Sequence, residues 1–244
     1  MTDKSDPADL PAFDSDRPEW AQAHGPLRSF GRIKSRPIKA RQAALFDTLM
    51  PQIAVPDPSK GPIDPLALMP GAKQAWLEIG FGGGEHLAAQ AACNPDTVIL
   101  GCEPFLNGVA SLLRHVDEGG LKNVRIHADD ARAVVRALNP ASLDRVMILF
   151  PDPWHKARHN KRRLVQDDFV ADLVRVLKPG GGLRFVTDWE NYADWALEKF
   201  SANPALQFTG PADRHAAPDD HVVTRYEEKK LGDIAPIFLD FIRV

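Results

Sequence analysis

Gly80, Gly82 and Gly84 stand at alternate positions in Glu78-Ile79-Gly80-Phe81-Gly82-Gly83-Gly84-Glu85, after the apolar run 75–79 and before the helically spaced segment 85–92. Glycine at such spacing lets a strand turn sharply into a helix and leaves bare backbone beside the helix N-terminus, where a ligand can approach. This strand-turn-helix unit is the opening of a doubly wound α/β sheet, and the chain repeats its beat. Short apolar runs at 97–101, 124–127, 145–150 and 183–187 alternate with helical spacing at 106–116, 131–138 and 165–177, which predicts a mostly parallel sheet covered on both faces. A further helix near 192–200 precedes the segments 222–230 and 237–243, separated by Gly232 and Pro236, which read as a closing antiparallel pair. Lys178-Pro179-Gly180-Gly181-Gly182 reads as a turn that stops a helix before the fifth strand.

The 244 residues are 44% hydrophobic and 26% charged, which suits one large globular core and excludes collagen-like, coiled-coil and wholly disordered chains. The longest apolar runs hold about five or six residues, far short of the roughly 20 that a membrane helix needs. The N-terminus shows no basic n-region and no apolar h-region. Two cysteines, Cys93 and Cys102, make no disulfide framework and no metal-ligand spacing, so the expected compartment is the cytoplasm and no metal is expected. The net charge of −3 is segregated: residues 1–20 hold six acids against Lys4 and Arg17, a net −4 that leaves the remainder at +1. Residues 1–27 read as an acidic flexible tail. From Arg28 the sign flips, with Arg28, Arg32, Lys34, Arg36, Lys39 and Arg41 and no acid among them, and six prolines in 51–72 exclude a long helix or central strand. Residues 28–72 are therefore a basic extension and Pro-rich connector into a main domain at 73–244.

A dinucleotide fingerprint G-x-G-x-x-G would need glycine at position 85, which is Glu85, and a carboxylate there would repel a pyrophosphate. That argues against NAD. A nucleoside bearing positive charge tolerates acids around the turn, and S-adenosylmethionine carries a sulfonium and an ammonium. Glu103 ends the second strand 25 residues after Glu78, where doubly wound folds place a carboxylate for ribose hydroxyls. Asp130 follows the third strand at the same edge of the sheet. Each acid alone also suits a helix N-cap; three at successive strand ends suit a ligand. Glu78, Gly80, Gly82, Gly84, Glu103 and Asp130 are the candidate cofactor residues.

The segment 150–163, Phe-Pro-Asp-Pro-Trp-His-Lys-Ala-Arg-His-Asn-Lys-Arg-Arg, follows the fourth strand. Prolines on both sides of Asp152 stiffen the backbone and hold the carboxylate at the top of the sheet, beside the place of a transferable methyl group. Trp154 offers a flat face for a base. Lys156, Arg158, Lys161, Arg162 and Arg163 follow without an acid, an electrostatic footprint for phosphates. A solvated basic loop is the plainer alternative, but it leaves the proline-held Asp152 and Trp154 unexplained.

From about Arg28 to the C-terminus the sequence resembles the bacterial tRNA guanine-N7 methyltransferase family, of the class I, Rossmann-like S-adenosylmethionine-dependent fold. The resemblance is carried by the 78–84 turn, Gly101-Cys102-Glu103-Pro104, the segment 151–163, Thr187-Asp188-Trp189 and Thr224-Arg225-Tyr226-Glu227; the match over 151–163 is the most specific. It implies a seven-stranded sheet and a methyl transfer to guanine 46 of the tRNA variable loop. It also implies that Glu78, Glu103, Asp130 and Asp152 contact the cofactor, with Asp152 catalytic, and that Lys156, Asp188, Thr224, Arg225, Tyr226 and Glu227 contact the RNA. Arg225-Tyr226 stands where the family usually has Lys-Phe, and Lys229-Lys230 where it has Arg-Gly. Two other functions remain open on the residues alone, an exocyclic-amine methyltransferase and a non-catalytic RNA-binding module, as does the choice between monomer and homodimer.

Overall fold

The computed structural model describes Ser35 and residues 37–244. The acidic segment 1–27 and the cations Arg28, Arg32, Lys34 and Arg36 lie outside the described residues. Seven strands form one sheet in the order β3-β2-β1-β4-β5-β7-β6. They are β1 (Gln74–Ile79), β2 (Thr97–Cys102), β3 (Val124–His127), β4 (Leu143–Leu149), β5 (Leu177–Thr187), β6 (Leu206–Phe208) and β7 (Ile237–Arg243). The first five run parallel, and β7 lies antiparallel between β5 and β6. Strand order reverses at β1, with β2 on one side and β4 on the other, so a crevice opens above the carboxyl ends of those strands.

The helices are α1 (Ala40–Thr48), α2 (Met50–Ile53), α3 (Glu85–Cys93), α4 (Leu106–Gly119), α5 (Ala131–Ala137), α6 (Asp167–Val176), α7 (Glu190–Ser201) and the single turn α8 (Arg225–Glu228). Side-chain alternation along the strands divides the core in two. Ala75, Leu77 and Ile79 of β1 meet α5, α6 and α7, whereas Trp76 faces the layer of α1 to α4. By the same alternation Glu78 points to the layer of α3, which decides its partner. Val109, Leu112 and Leu113 of α4 are fully buried, each worth roughly 1.5–3 kcal/mol of hydrophobic stabilisation.

The connector 51–72 holds only short helical turns, as its prolines require; an isolated bridge Ala54–Ile126 ties it to β3 and another, Ile63–Leu138, to the C-terminal end of α5. No helix among the described residues is long and apolar enough to cross a membrane. One strand expectation is overturned. Segment 222–230 is not a strand: Thr224 accepts from the Glu227 N–H while the Glu227 carboxylate accepts from the Thr224 N–H, a capping box that winds one helical turn. The antiparallel partner of β7 at the sheet edge is instead Leu206–Phe208. The run 178–182 does not stop α6 before the fifth strand as expected: the helix ends at Val176 with Leu177 extended, pairing with β4 begins at Leu177, and the glycines, with Gly180 at φ 79°, form an excursion within β5.

Candidate active site

The crevice is a cleft of about 1030 Å³ lined by the glycine turn, the ends of β1, β2 and β4, and α8. Gly82 takes φ 52° and a Cβ there would meet nothing within 4 Å, so its backbone lies bare against open space. Gly80, at φ 75°, shares that character. Gly84 begins α3 in the left-handed region and packs on Leu112, leaving no room for a side chain. The turn is braced from α4 as well, because a Cβ on Gly108 would stand 2.2 Å from the Gly82 carbonyl oxygen.

Three carboxylates border this turn, each held by donors of the chain itself. Glu103 accepts from the Gly82 N–H at 2.8 Å and the Phe105 N–H at 2.9 Å. Burial nevertheless pushes its carboxyl up to about 7, against those two backbone bonds. Asp130 caps α5 and forms a two-point pair with Arg132, at 2.9 and 2.7 Å. Burial acts to raise its carboxyl, but the Arg132 bonds and charge outweigh it and hold it below the ordinary value. Glu78 is 1% exposed and bonds to His86 Nδ1 at 2.7 Å. All three line the cleft.

Asp152 stands apart from them. Among the described residues nothing donates to its carboxylate, which is open to the cleft although the surrounding walls desolvate it and raise its carboxyl. Phe150 and Trp154 on either side hold φ values of 49° and 43°, rare for non-glycine residues and costing on the order of 1–3 kcal/mol each. The strained loop is pinned at one end by the Phe150 N–H donating to Val186 O and at the other by Arg163 donating to Pro153 O, at 2.8 and 2.9 Å.

Arg163 therefore departs from its expected role as a phosphate contact. It is 2% exposed, donates also to Asn191, and lies over the Tyr192 and Trp195 rings at 4.8 and 5.4 Å. Its guanidinium is consumed in holding up the Asp152 loop. Of the remaining cations, Arg158, Lys161 and Arg162 wind into a 3-10 turn, Ala157–Arg162, and Lys156 precedes it as the extended N-cap residue. Lys161 and Arg162 line the cleft, with Arg162 over Trp154 at 5.2 Å, while Lys156 and Arg158 are exposed outside it.

The opposite wall comes from the arm 210–236. Thr224, Arg225, Tyr226 and Lys229 line the cleft; Arg225 reaches Glu85 at 3.5 Å, and Tyr226 packs on Phe150 at 5.1 Å. Asp188 and Glu227, expected to touch RNA, sit behind this wall. Asp188 is 4% exposed, accepts from the Tyr226 hydroxyl at 3.5 Å, and is raised chiefly by burial. Glu227 is committed to Thr224 and His221. Both position the wall rather than form it.

A family model described as a putative methyltransferase matches residues 72–238. The tRNA (guanine-N(7)-)-methyltransferase of Caulobacter vibrioides is 66% identical over 223 residues, 91% of this chain and 97% of that protein. The chain belongs to that family. The protein of the same description from Hyphomonas neptunium is 48% identical over 217 residues, covering 88% of this chain and 99% of its own. The 16S rRNA (adenine(1408)-N(1))-methyltransferase of Catenulisporales acidiphilia shares the fold, with a TM-score of 0.50 at 18% identity over 71% of this chain and 89% of that one.

The family's cofactor, S-adenosylmethionine, fits the residues present. Bare glycine backbone faces the open cleft, and the bordering side chains are carboxylates that accept from hydroxyl and ammonium groups. No cluster of three or more metal-ligating side chains occurs among the described residues. Several members of the site escaped the sequence reading. His86 and Arg132 gave no motif signal, whereas the capping box T-x-x-E at 224–227 was legible and would have corrected the strand expectation.

Proposed function

We propose that this protein transfers a methyl group from S-adenosylmethionine to N7 of a guanine in tRNA, guanine 46 of the variable loop, in the cytoplasm. The observation that carries this reading is the position of Asp152, a carboxylate with no donor among the described residues, between the acid-bordered glycine turn and a wall of cations and aromatic rings. When bound, the cofactor supplies an electrophilic methyl on sulfur. Guanine N7 has an in-plane lone pair and no proton, so the chain need not provide a general base; its work is positioning and charge stabilisation.

Glu103 accepts from ribose hydroxyls with lone pairs that its two backbone bonds leave over. Glu78 and Asp130 complete the cofactor side. Asp152, when ionised, accepts from the guanine N1–H and N2–H₂ edge and stabilises the positive charge that the purine gains. The major groove of A-form RNA hides N7, so the guanine must leave its stack, and Trp154 or Tyr226 receives its face. Lys156, Arg158, Lys161, Arg162, Thr224 and Arg225 meet the phosphates and sugars, with Asp188 and Glu227 setting the wall. Digestion of tRNA methylated with labelled cofactor tests the reading: 7-methylguanosine at one variable-loop position is expected, and a methylated exocyclic amine would overturn it.

A further inference from the structure

Glu78 points to the layer of α3, and there His86 meets it with both side chains 2% exposed or less. Gln90, one helical turn further on the same face, has its Nε2 3.4 Å from His86 Nε2 and 2.7 Å from the carbonyl oxygen of Asp220. The donors run in one direction. The Gln90 amide nitrogen can only donate, so His86 Nε2 accepts from it and Nδ1–H donates to Glu78. The Gln90 amide has two N–H groups, one for His86 and one for Asp220. Asp220 is itself clamped by Arg145 and Arg184, each at 2.6 Å, and burial, which works to raise its carboxyl, is outweighed by those two partners, leaving it at about 2. The next residue, His221, bonds to Glu227 at 2.8 Å, and Glu227 caps the turn that presents Tyr226 to the cleft. A line of polar contacts, with one covalent step from Asp220 to His221, thus joins Glu78 to the substrate wall, and its Gln90–Asp220 link bridges 130 residues of sequence.

We propose that His86 and Gln90 are positioning residues that couple the cofactor end of the cleft to the arm 219–228, so that a ligand seated against Glu78 sets the wall for RNA. The proposal rests on the reading of Glu78 as a cofactor-contacting carboxylate. A contact at Glu78 acts on a charge-assisted bond, and the next links carry the displacement to a backbone carbonyl of the arm. Such coupling is reciprocal and commonly spans roughly 5–150-fold in affinity.

The test measures tRNA affinity with and without S-adenosylhomocysteine, together with amide exchange over 219–228, on the full chain. In the unmodified protein the ligand is expected to tighten tRNA binding about tenfold and to slow exchange in the arm. Gln90→Met keeps the side-chain size, removes both donors and should bind the ligand within about twofold, yet lose the tightening and the slowed exchange. His86→Leu should weaken ligand binding itself by about tenfold, since Glu78 loses a charge-assisted partner. His86→Asn retains an N–H near the Nδ1 place and should restore ligand affinity without the coupling, and it serves the same test should Gln90→Met unfold. Coupling that survives Gln90→Met, or His86→Asn should Gln90→Met unfold, overturns the relay, as does its absence from the unmodified protein. Undiminished ligand binding by Glu78→Gln takes down the reading of Glu78 and the relay together. Binding lost in Glu78→Gln with coupling intact in Gln90→Met overturns the relay alone.

Discussion

Along one edge of the sheet, the half built on β1, β2 and β3 engages each of its three cleft-bordering carboxylates, whereas the half built on β4, β5 and the arm 210–236 engages Asp188 and Glu227 behind the wall and leaves Asp152 open. Glu78, Glu103 and Asp130 are each engaged by a histidine, by backbone N–H groups or by an arginine of the chain. Asp152 has no donor among the described residues and sits on a backbone strained at Phe150 and Trp154. Under the proposed function, the first half receives a small ligand of constant shape, so its groups can be oriented before binding. The second half would then admit a base carried on a large polyanion, with the Asp152 carboxylate left uncommitted and the rigid supports placed beneath it. Pre-organisation in the second half resides in the loop that carries Asp152, through Arg163 and the Phe150 N–H, and not in bonds to the carboxylate itself.

The sharpest break of this contrast is Asp152→Asn. If Asp152 acts on charge developing in the transition state, single-turnover methylation should fall about a hundredfold or more with tRNA affinity nearly unchanged. Rates near the unmodified value would return Asp152 to the passive side of the comparison. Arg163→Ala comes next. It removes the strut under Pro153 and leaves buried acceptors unpaired, so chemical denaturation should show a loss of about 2–3 kcal/mol. Turnover should drop with it, while the salt dependence of tRNA binding stays as it was; a flattened salt slope would mean that Arg163 meets phosphate after all.

A third expectation concerns pH. The buried Glu103 carboxyl stands at about 7, above its ordinary 4.5, so the folded state holds the proton that the unfolded state releases. Its contribution to stability is complete below about 4.5 and is lost as pH rises to about 7. Ribose binding has the opposite sense, because only the ionised carboxylate accepts from both hydroxyls. Affinity for S-adenosylhomocysteine should therefore rise by up to about tenfold between pH 6 and pH 8, and calorimetry on Glu103→Gln should show a flat profile. The smallest effect is expected from Lys161→Ala with Arg162→Ala. Removing two phosphate contacts should lower the slope of log affinity against log salt by about 1.5 units, with the melting temperature little changed.

Most of the strand-turn-helix beat was legible in the residues because each element carries its own period: the apolar run of β2 and the spaced apolar face of α4 need no distant partner to be recognised. Segment 222–230 misled because Val222, Val223 and Tyr226 look strand-forming, yet Val223 is 62% exposed and the local capping bonds of Thr224 and Glu227 prevail where no neighbouring strand offers a ladder. The cation run misled in another way. Lys161, Arg162 and Arg163 are alike as charges, and only the arrival of Tyr192, Trp195 and Asn191 from α7 singles out Arg163 for burial.

What the chain determined by itself was whatever depends on neighbours within a few positions: the glycine turn, the proline-held Asp152, the order of strands and helices as far as α7, and the acids that end successive strands. Tertiary structure decided the partners. Glu78 finds His86 because alternation along β1 sends it to the layer of α3; Asp188 is hidden because Tyr226 and the backbone at Gly232 close over it. Charge, size and period are properties of a residue and its local chain, whereas burial and hydrogen-bond partnership belong to pairs that meet only after the sheet has brought distant segments together.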